Sequence, residues 1–271
     1  MRQTRVHVDL PLVAGKDLSL PAPAVQHLVQ VLRMRSGDDF IIFNGNGHDY
    51  SATLLTAHRQ GVLIRIGEPG EPEPALPLGV HLGIGISKGE RMDFSIQKAV
   101  ELGVAEVSPL FAGRGMVRLA GDRLAKRQEH WQSILIAACE QSGRRRLPRL
   151  NLAQDLDTWV DQGHPCPLLL DHRASRSLPS LAPPGPALTL LIGPEGGLAP
   201  AERERAYQSG FTGVRLGPRI LRTETAPLAA LAIVQALWGD LRDTGTGTIP
   251  PHHCIAEQGT TSLFNIAAPQ T

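Results

Sequence analysis

Aromatic residues are scarce in this 271-residue chain: three Trp, two Tyr and six Phe make up 4% of it. A ligand surface built on broad aromatic stacking is therefore not expected. Cysteine is scarcer still. Cys139, Cys166 and Cys254 are odd in number and widely spaced, with no CxxC pair. Neither a disulfide framework nor a zinc site is indicated, and no metal is expected. No run approaches the roughly 18 apolar residues of a membrane span. The opening MRQTRVHVDL lacks the apolar core of a signal peptide. A cytoplasmic location, with no membrane partner, is the expectation. The phosphate-cradling pattern GxxxxGK[ST] is missing as well. Gly83-Ile84-Gly85 begins a dinucleotide fingerprint, but it sits inside an apolar run. The next glycine, Gly89, comes one residue too late for GxGxxG.

What is present is an ordinary globular balance, with 42% hydrophobic and 20% charged residues. The length suits one large or two ordinary domains. The formal net charge of +1 hides an asymmetry, because residues 75–150 carry 12 Lys and Arg against 7 Asp and Glu. A localised basic stripe is the footprint of a polyanion binder. The same count also fits a solvated arginine-rich face.

Residues 1–70 read as β structure. Apolar runs recur at Val6–Leu10, Phe40–Phe43, Tyr50–Leu55 and Val62–Ile66. Between the second and third, Asn44-Gly45-Asn46-Gly47 tolerates positive φ and marks a hairpin. Val25, Leu28, Val29 and Leu32 fall at helical spacing, so one helix is expected at Ala24–Leu32. A small β-barrel with one helix fits this pattern. Alternating Pro and Glu over residues 68–74 break it, and residues 71–76 are assigned to a linker. Residues 77–242 then alternate strands and helices. Strands are expected at Val80–Ile86, Val104–Leu110, Leu168–Leu170, Leu188–Ile192 and Val214–Leu216. Helices are expected at Met92–Leu102, Leu124–Gln141, Ala201–Ser209 and Ala226–Leu241. That rhythm predicts an α/β domain whose mostly parallel sheet is covered on both faces. Residues 243–271, rich in Thr, Gly, Pro and Gln without periodicity, are expected to be a disordered tail.

In such a sheet, ligands bind beyond the carboxyl ends of the strands. Three strand ends carry special residues. Leu170 leads into Asp171 and His172. Ile192 leads into Gly193-Pro194-Glu195-Gly196-Gly197. Leu216 leads into Gly217-Pro218-Arg219-Ile220-Leu221-Arg222-Thr223-Glu224-Thr225-Ala226. Glycine at a strand end lets a ligand approach the backbone closely. Two such loops side by side can hold a flat ring between main-chain amides and carbonyls. Lys88 and Arg91 follow the first parallel strand and Arg114 the second, so all three are placed to face one crevice. Arginine suits phosphate because its planar fork binds two oxygens.

These strings together resemble one family, ribosomal RNA small subunit methyltransferase E, within the SPOUT superfamily. The first region contributes Arg5, His27-Leu28 and Val31-Leu32-Arg33-Met34-Arg35-Ser36-Gly37. The second contributes Lys88, Arg91-Met92, the run Gln97 to Val104, and Glu140-Gln141-Ser142-Gly143-Arg144. The two glycine loops complete the set. Ala199 departs from the Ser or Thr cap frequent in the family. The resemblance implies a PUA-like β-barrel that helps hold RNA, followed by a SPOUT domain with a trefoil knot. It also implies a homodimer that binds S-adenosylmethionine in the knot and methylates N3 of a uridine in 16S rRNA.

On that resemblance, cofactor contacts are expected from Leu170, Asp171, Ile192, Gly193, Pro194, Glu195, Gly196 and Gly197. Leu216, Gly217, Arg219, Ile220, Leu221 and Thr225 complete the cofactor set. RNA contacts are expected from Arg5, Arg33, Arg35, Lys88, Arg91 and Arg144. Catalytic roles are expected of Glu140 as proton acceptor, Arg222 as stabiliser of the uracil oxygens and Arg114 as holder of the nucleotide. The last helix offers Leu228, Leu231, Ala232 and Gln235 either to a partner subunit or to its own core.

Overall fold

The computed structural model describes residues 4–58, 61–115 and 120–242. Arg118 and the segment 243–271 lie outside the described residues.

The first sheet contains β1 (Arg5–His7), β2 (Asp17–Ser19), β3 (Asp39–Phe43), β4 (Tyr50–His58) and β5 (Gly61–Pro69). Its strand order is β1-β3-β4-β5-β2. Strands β3, β4 and β5 form an antiparallel meander. Alternate residues point inward, and Phe40, Ile42, Ala52, Leu54, Val62, Ile64 and Ile66 are buried. The turn after β3 follows the Asn-Gly reading: Gly45 and Gly47 have φ of 83° and 99°. The Oδ1 of Asn44 accepts the Asn46 N–H at 3.3 Å.

The helix of this region differs from its expected form. Helix α1 (Ala22–Val25) makes one turn and widens into a π-helical segment, Gln26–Val31. The Leu32 N–H donates to the His27 carbonyl at 3.0 Å, five residues back. The wider turn keeps Val25 and Leu28 on the core but rotates Val31 and Leu32 into solvent. Strand β2 escaped the sequence reading, because three residues are too few to show a period.

The second sheet contains β6 (Gly79–Gly85), β7 (Glu106–Phe111), β8 (Arg149–Leu150), β9 (Gln154–Asp155), β10 (Pro167–Leu170), β11 (Ala187–Ile192) and β12 (Thr212–Val214). The main path runs β12-β10-β11-β6-β7-β8, and β9 pairs with β7. Every pairing is parallel. Helices α2 (Glu90–Glu101), α3 (Gly121–Ser142) and α6 (Thr225–Trp238) pack with β6 and β11 around one core that includes Trp131, Ile96 and Leu231. A smaller core holds α4 (Leu156–Val160) and α5 (Pro200–Gln208) around Trp159 and Phe211. Gly83 belongs to that packing: a Cβ there would lie 2.3 Å from the Trp159 ring. Short elements β8, β9 and α4 were not foreseen.

Strand β1 of the first sheet meets the end of α3 along a polar seam. Arg5 donates to the Cys139 carbonyl at 2.7 Å and to Asp49 at 2.6 Å, and its guanidinium lies over the Phe43 ring. Arg144 donates to the Val104 and Val100 carbonyls at 2.7 and 3.2 Å. Glu73, in the expected linker, accepts the backbone N–H groups of Arg145 and Arg146. The linker is thus fastened to the second sheet.

Candidate active site

Strands β12, β10 and β11 are neighbours, so the loops beyond their carboxyl ends lie side by side. They enclose a cavity of about 560 Å³, within the range of small-molecule sites. Leu169, Leu170, Ile192, Leu216, Leu221 and Ala226 give it apolar walls. Backbone of Gly193, Pro194, Gly196, Gly197 and Gly217 forms much of the remainder. Close backbone packing explains the glycines. A Cβ on Gly85, at the end of β6, would lie 2.4 Å from the Pro194 nitrogen. A Cβ on Gly196 would lie 2.9 Å from the Arg114 carbonyl oxygen.

Hydrogen bonds latch the loops together. Thr223 Oγ1 donates to the Gly193 carbonyl at 3.1 Å and lies 3.3 Å from Ser87 Oγ. Glu195 Oε1 accepts the Lys88 N–H at 2.9 Å and the Arg91 side chain at 3.4 Å. Its other oxygen, Oε2, is buried without a hydrogen-bond partner. Such a group calls for a donor or a cation. Asp171 is buried; it accepts the Arg173 N–H at 3.0 Å and the Tyr207 hydroxyl at 3.0 Å. Burial and the hydrogen bond to Asp171 raise the Tyr207 pKa above its ordinary value. Ala199 has no side-chain acceptor, so only half of a capping box forms at α5. The Glu202 carboxylate accepts the Ala199 N–H at 2.7 Å and also the Gly113 N–H at 2.6 Å.

Of the expected cofactor residues, all but Thr225 line the cavity. Thr225 opens α6 and is exposed. Arg91, Arg114 and Arg222 line it too. Lys88 stands beside it through its bond to Glu195. Arg33 and Arg35 are exposed at the end of the π-helical segment and do not line it. Of the other residues expected to face RNA, Arg5 donates to carbonyls in the seam and Arg144 to the Val100 and Val104 carbonyls of its own region. Glu140, expected as proton acceptor, is also in the seam: its Oε1 accepts the His7 N–H at 2.9 Å. Burial raises the Glu140 carboxyl above the usual carboxylate range. Helix α6 turns Leu231 and Gln235 into its own core, where Gln235 donates to the Leu102 and Gly103 carbonyls at 3.1 and 3.2 Å. Leu228 and Ala232 stay half-buried.

Sequence reasoning missed Thr223 as a latch, and Arg173, Arg203 and Arg215 as cavity residues. Thr223 lies within the run that follows Leu216, where no local pattern distinguishes it from its neighbours. Arg173 and Arg215 reach the cavity because β10 and β12 pair, and Arg203 reaches it from α5, where it lies 3.7 Å from Asp171.

Family relationships agree with this geometry. The RNA methyltransferase domain model matches residues 74–235. The RNA methyltransferase PUA domain model matches residues 20–67. Ribosomal RNA small subunit methyltransferase E of Buchnera aphidicola (subsp. Schizaphis graminum) is 34% identical over 242 residues, covering 89% of this chain and 98% of that protein.

The chain belongs to the ribosomal RNA small subunit methyltransferase E family.

The Bacillus subtilis member is 34% identical over 226 residues, covering 80% of this chain and 88% of that protein. A crystal structure of the Neisseria gonorrhoeae member, solved bound to S-adenosyl methionine, superposes with a TM-score of 0.85 at 38% identity. It covers 89% of this chain and 100% of that one. The α/β architecture, with a PUA-like first sheet and a SPOUT second domain, is that of the methyltransferase E family.

Proposed function

We propose that this chain transfers a methyl group from S-adenosylmethionine to N3 of a uridine in small-subunit (16S) ribosomal RNA. One observation carries the reading: three strand-end loops, two of them glycine-bearing, converge on a single cavity in a chain of this family. The residues present fit the cofactor. The cavity has apolar walls for an adenine ring, main-chain groups for its edges, and the partnerless Glu195 Oε2 for a cationic group.

The bound cofactor supplies an electrophilic methyl on a sulfonium. The protein must present a nucleophile to it, and neutral uracil N3 carries a proton and is a poor one. Removing that proton leaves an anion spread over N3, O2 and O4. A fixed guanidinium stabilises such an anion. Arg222 is assigned this role: it lines the cavity, its nearest carboxylate, Glu224, is 4.0 Å away, and bound RNA would fix its exposed side chain. Arg114 extends from the other side of the cavity and touches the Gly196 carbonyl at 3.5 Å; it is assigned to the nucleotide. The base must leave its stack to reach this depth.

In this reading, residues 1–70 help hold the RNA and residues 71–76 join them to the methyltransferase region 77–242. Leu228 and Ala232 of α6 are available to a second subunit in a homodimer. A ribosomal substrate places the work in the cytoplasm. The test is direct. The protein is incubated with S-adenosylmethionine and small ribosomal subunits lacking the modification, and the RNA nucleosides are identified by mass spectrometry. New 3-methyluridine is expected. A different methylated nucleoside would overturn the substrate assignment, and no product would overturn the activity.

A further inference from the structure

The cavity is unbalanced in charge. Seven arginines and three carboxylates line it. The carboxylates are already engaged: Glu195 and Glu224 lie 3.4 and 3.9 Å from Arg91, and Asp171 lies 3.7 Å from Arg203. Arg222 shares Glu224 at 4.0 Å. Four guanidinium groups, those of Arg114, Arg173, Arg215 and Arg219, have no carboxylate within ion-pair distance among the described residues. Arg114 and Arg215 touch only backbone carbonyls, at 3.5 and 3.4 Å. All four are exposed at the cavity mouth.

This surplus matters because of what the site exchanges, on the cofactor reading above. S-adenosylmethionine carries one carboxylate, one ammonium and one sulfonium, a net single positive charge. S-adenosylhomocysteine, left after transfer, has lost the sulfonium charge and is neutral overall. The two differ by one methyl group and one unit of charge. A surplus of positive charge at the mouth therefore works against the substrate form and not against the product form.

We infer that this arginine crown makes empty enzyme favour S-adenosylhomocysteine over S-adenosylmethionine, and that RNA removes the bias by neutralising the crown. RNA and the methyl donor then bind with positive coupling, whereas RNA and the spent cofactor do not. Coupling of this kind is reciprocal by thermodynamic linkage. It commits the methyl donor to enzyme that already holds a polyanion, and it leaves the affinity of the spent cofactor independent of whether RNA is bound.

The size follows from Coulomb's law. For an illustrative separation of about 9 Å, four charges in water screened by salt change the ratio of the two dissociation constants by roughly eightfold at 20 mM salt. The factor is about three- to fourfold at 0.1 M, where the Debye length is about 10 Å, and under twofold at 0.5 M. Using the ratio cancels contacts that the two molecules share.

Calorimetry of full-length protein with each compound, at 20 mM and at 0.5 M sodium chloride, tests this. The ratio of the S-adenosylmethionine to the S-adenosylhomocysteine dissociation constant should fall about fivefold between the two salts. In the double variant Arg173→Gln, Arg215→Gln, half of the repulsion is gone, so the ratio at 20 mM should fall about threefold. Because both compounds are titrated into the same variant, partial damage to the site affects them alike. A short single-stranded RNA added at 20 mM salt should tighten S-adenosylmethionine more than S-adenosylhomocysteine. If both bind and the ratio is indifferent to salt, to the variant and to RNA, the inference is wrong while the cofactor reading stands. If neither binds, the cofactor reading itself fails and takes this inference with it.

Discussion

Gly85→Ala is a sharp test of how the cavity is built. Gly85 ends β6, and the 193–197 loop crosses directly over it. The new Cβ would lie 2.4 Å from the Pro194 nitrogen, 2.5 Å from Pro194 Cδ and 3.0 Å from the Gly193 carbonyl carbon. None of these atoms is the end of a flexible side chain. Ordinary contact begins near 3.4 Å, so the loop must shift by about 1 Å. Overpacking of this kind costs about 1–3 kcal/mol, which a chain with this much core can sustain. A misplacement of about 1 Å at a reactive site costs on the order of 100-fold in rate. The variant should therefore fold, melt several degrees lower, and lose nearly all stabilisation by S-adenosylmethionine in a thermal-shift titration. Methyl transfer from radiolabelled cofactor should drop by about two orders of magnitude. Gly185→Ala is the control, since nothing lies within 4 Å of its Cβ position, and it should match the parent in both assays. Native cofactor affinity in Gly85→Ala would refute the argument that close backbone approach at this strand end shapes the site.

Three further outcomes are expected. Arg222→Ala should abolish transfer while changing stability by under about 0.5 kcal/mol, because the side chain is 78% exposed and its single ion pair is long; calorimetry beside a transfer assay checks both. Glu140→Gln keeps an oxygen to accept the His7 N–H and removes a buried charge. Since burial raises the folded-state pKa of Glu140 above its ordinary value, its protonation favours the fold at low pH, and that contribution disappears as pH rises through the raised pKa. The variant should therefore be no less stable than the parent at neutral pH, with a flatter stability profile above pH 4.5, and should keep its activity; loss of transfer would restore Glu140 as proton acceptor. Arg5→Ala should cost about 2–4 kcal/mol in urea unfolding, because it leaves Asp49 with only the longer Arg145 contact and strands two α3 carbonyls in the seam, and Arg5→Lys should recover little of that loss, since one ammonium cannot span the four acceptors that Arg5 reaches.

Much of the architecture is legible in the sequence because periodicity is a local property. The short apolar runs at Phe40–Phe43 and Tyr50–Leu55, and the Asn-Gly turn between them, specified a hairpin without reference to anything distant. The long helix over Leu124–Gln141 and the strands over Leu188–Ile192 and Val80–Ile86 were equally plain, within one to three residues at their ends. The glycine loops were legible because glycine at the end of an apolar run has few uses besides close backbone approach. Brief elements such as β2, β8 and β9 were not, since two or three residues show no period. The widening of α1 into a π-helical segment was hidden as well, because the same apolar residues fit either turn.

Charge is where sequence and structure part furthest. An arginine reads the same in a string whether it will meet a phosphate or a carbonyl. Only the packing of β1 on α3 decided that Arg5 spends its donors on the seam and that Glu140 holds a backbone amide there, and only the tertiary fold turned Arg144 onto the Val100 and Val104 carbonyls. Only the insertion of β10 between β12 and β11 gathered Arg173, Arg203 and Arg215 around the same cavity as Arg114, Arg219 and Arg222. The sequence determined which segments are strands, which are helices and which strand ends carry glycine, because backbone conformation is set by neighbours along the chain. Which side chains share a site was decided by strand order, and strand order depends on pairing between residues far apart in sequence.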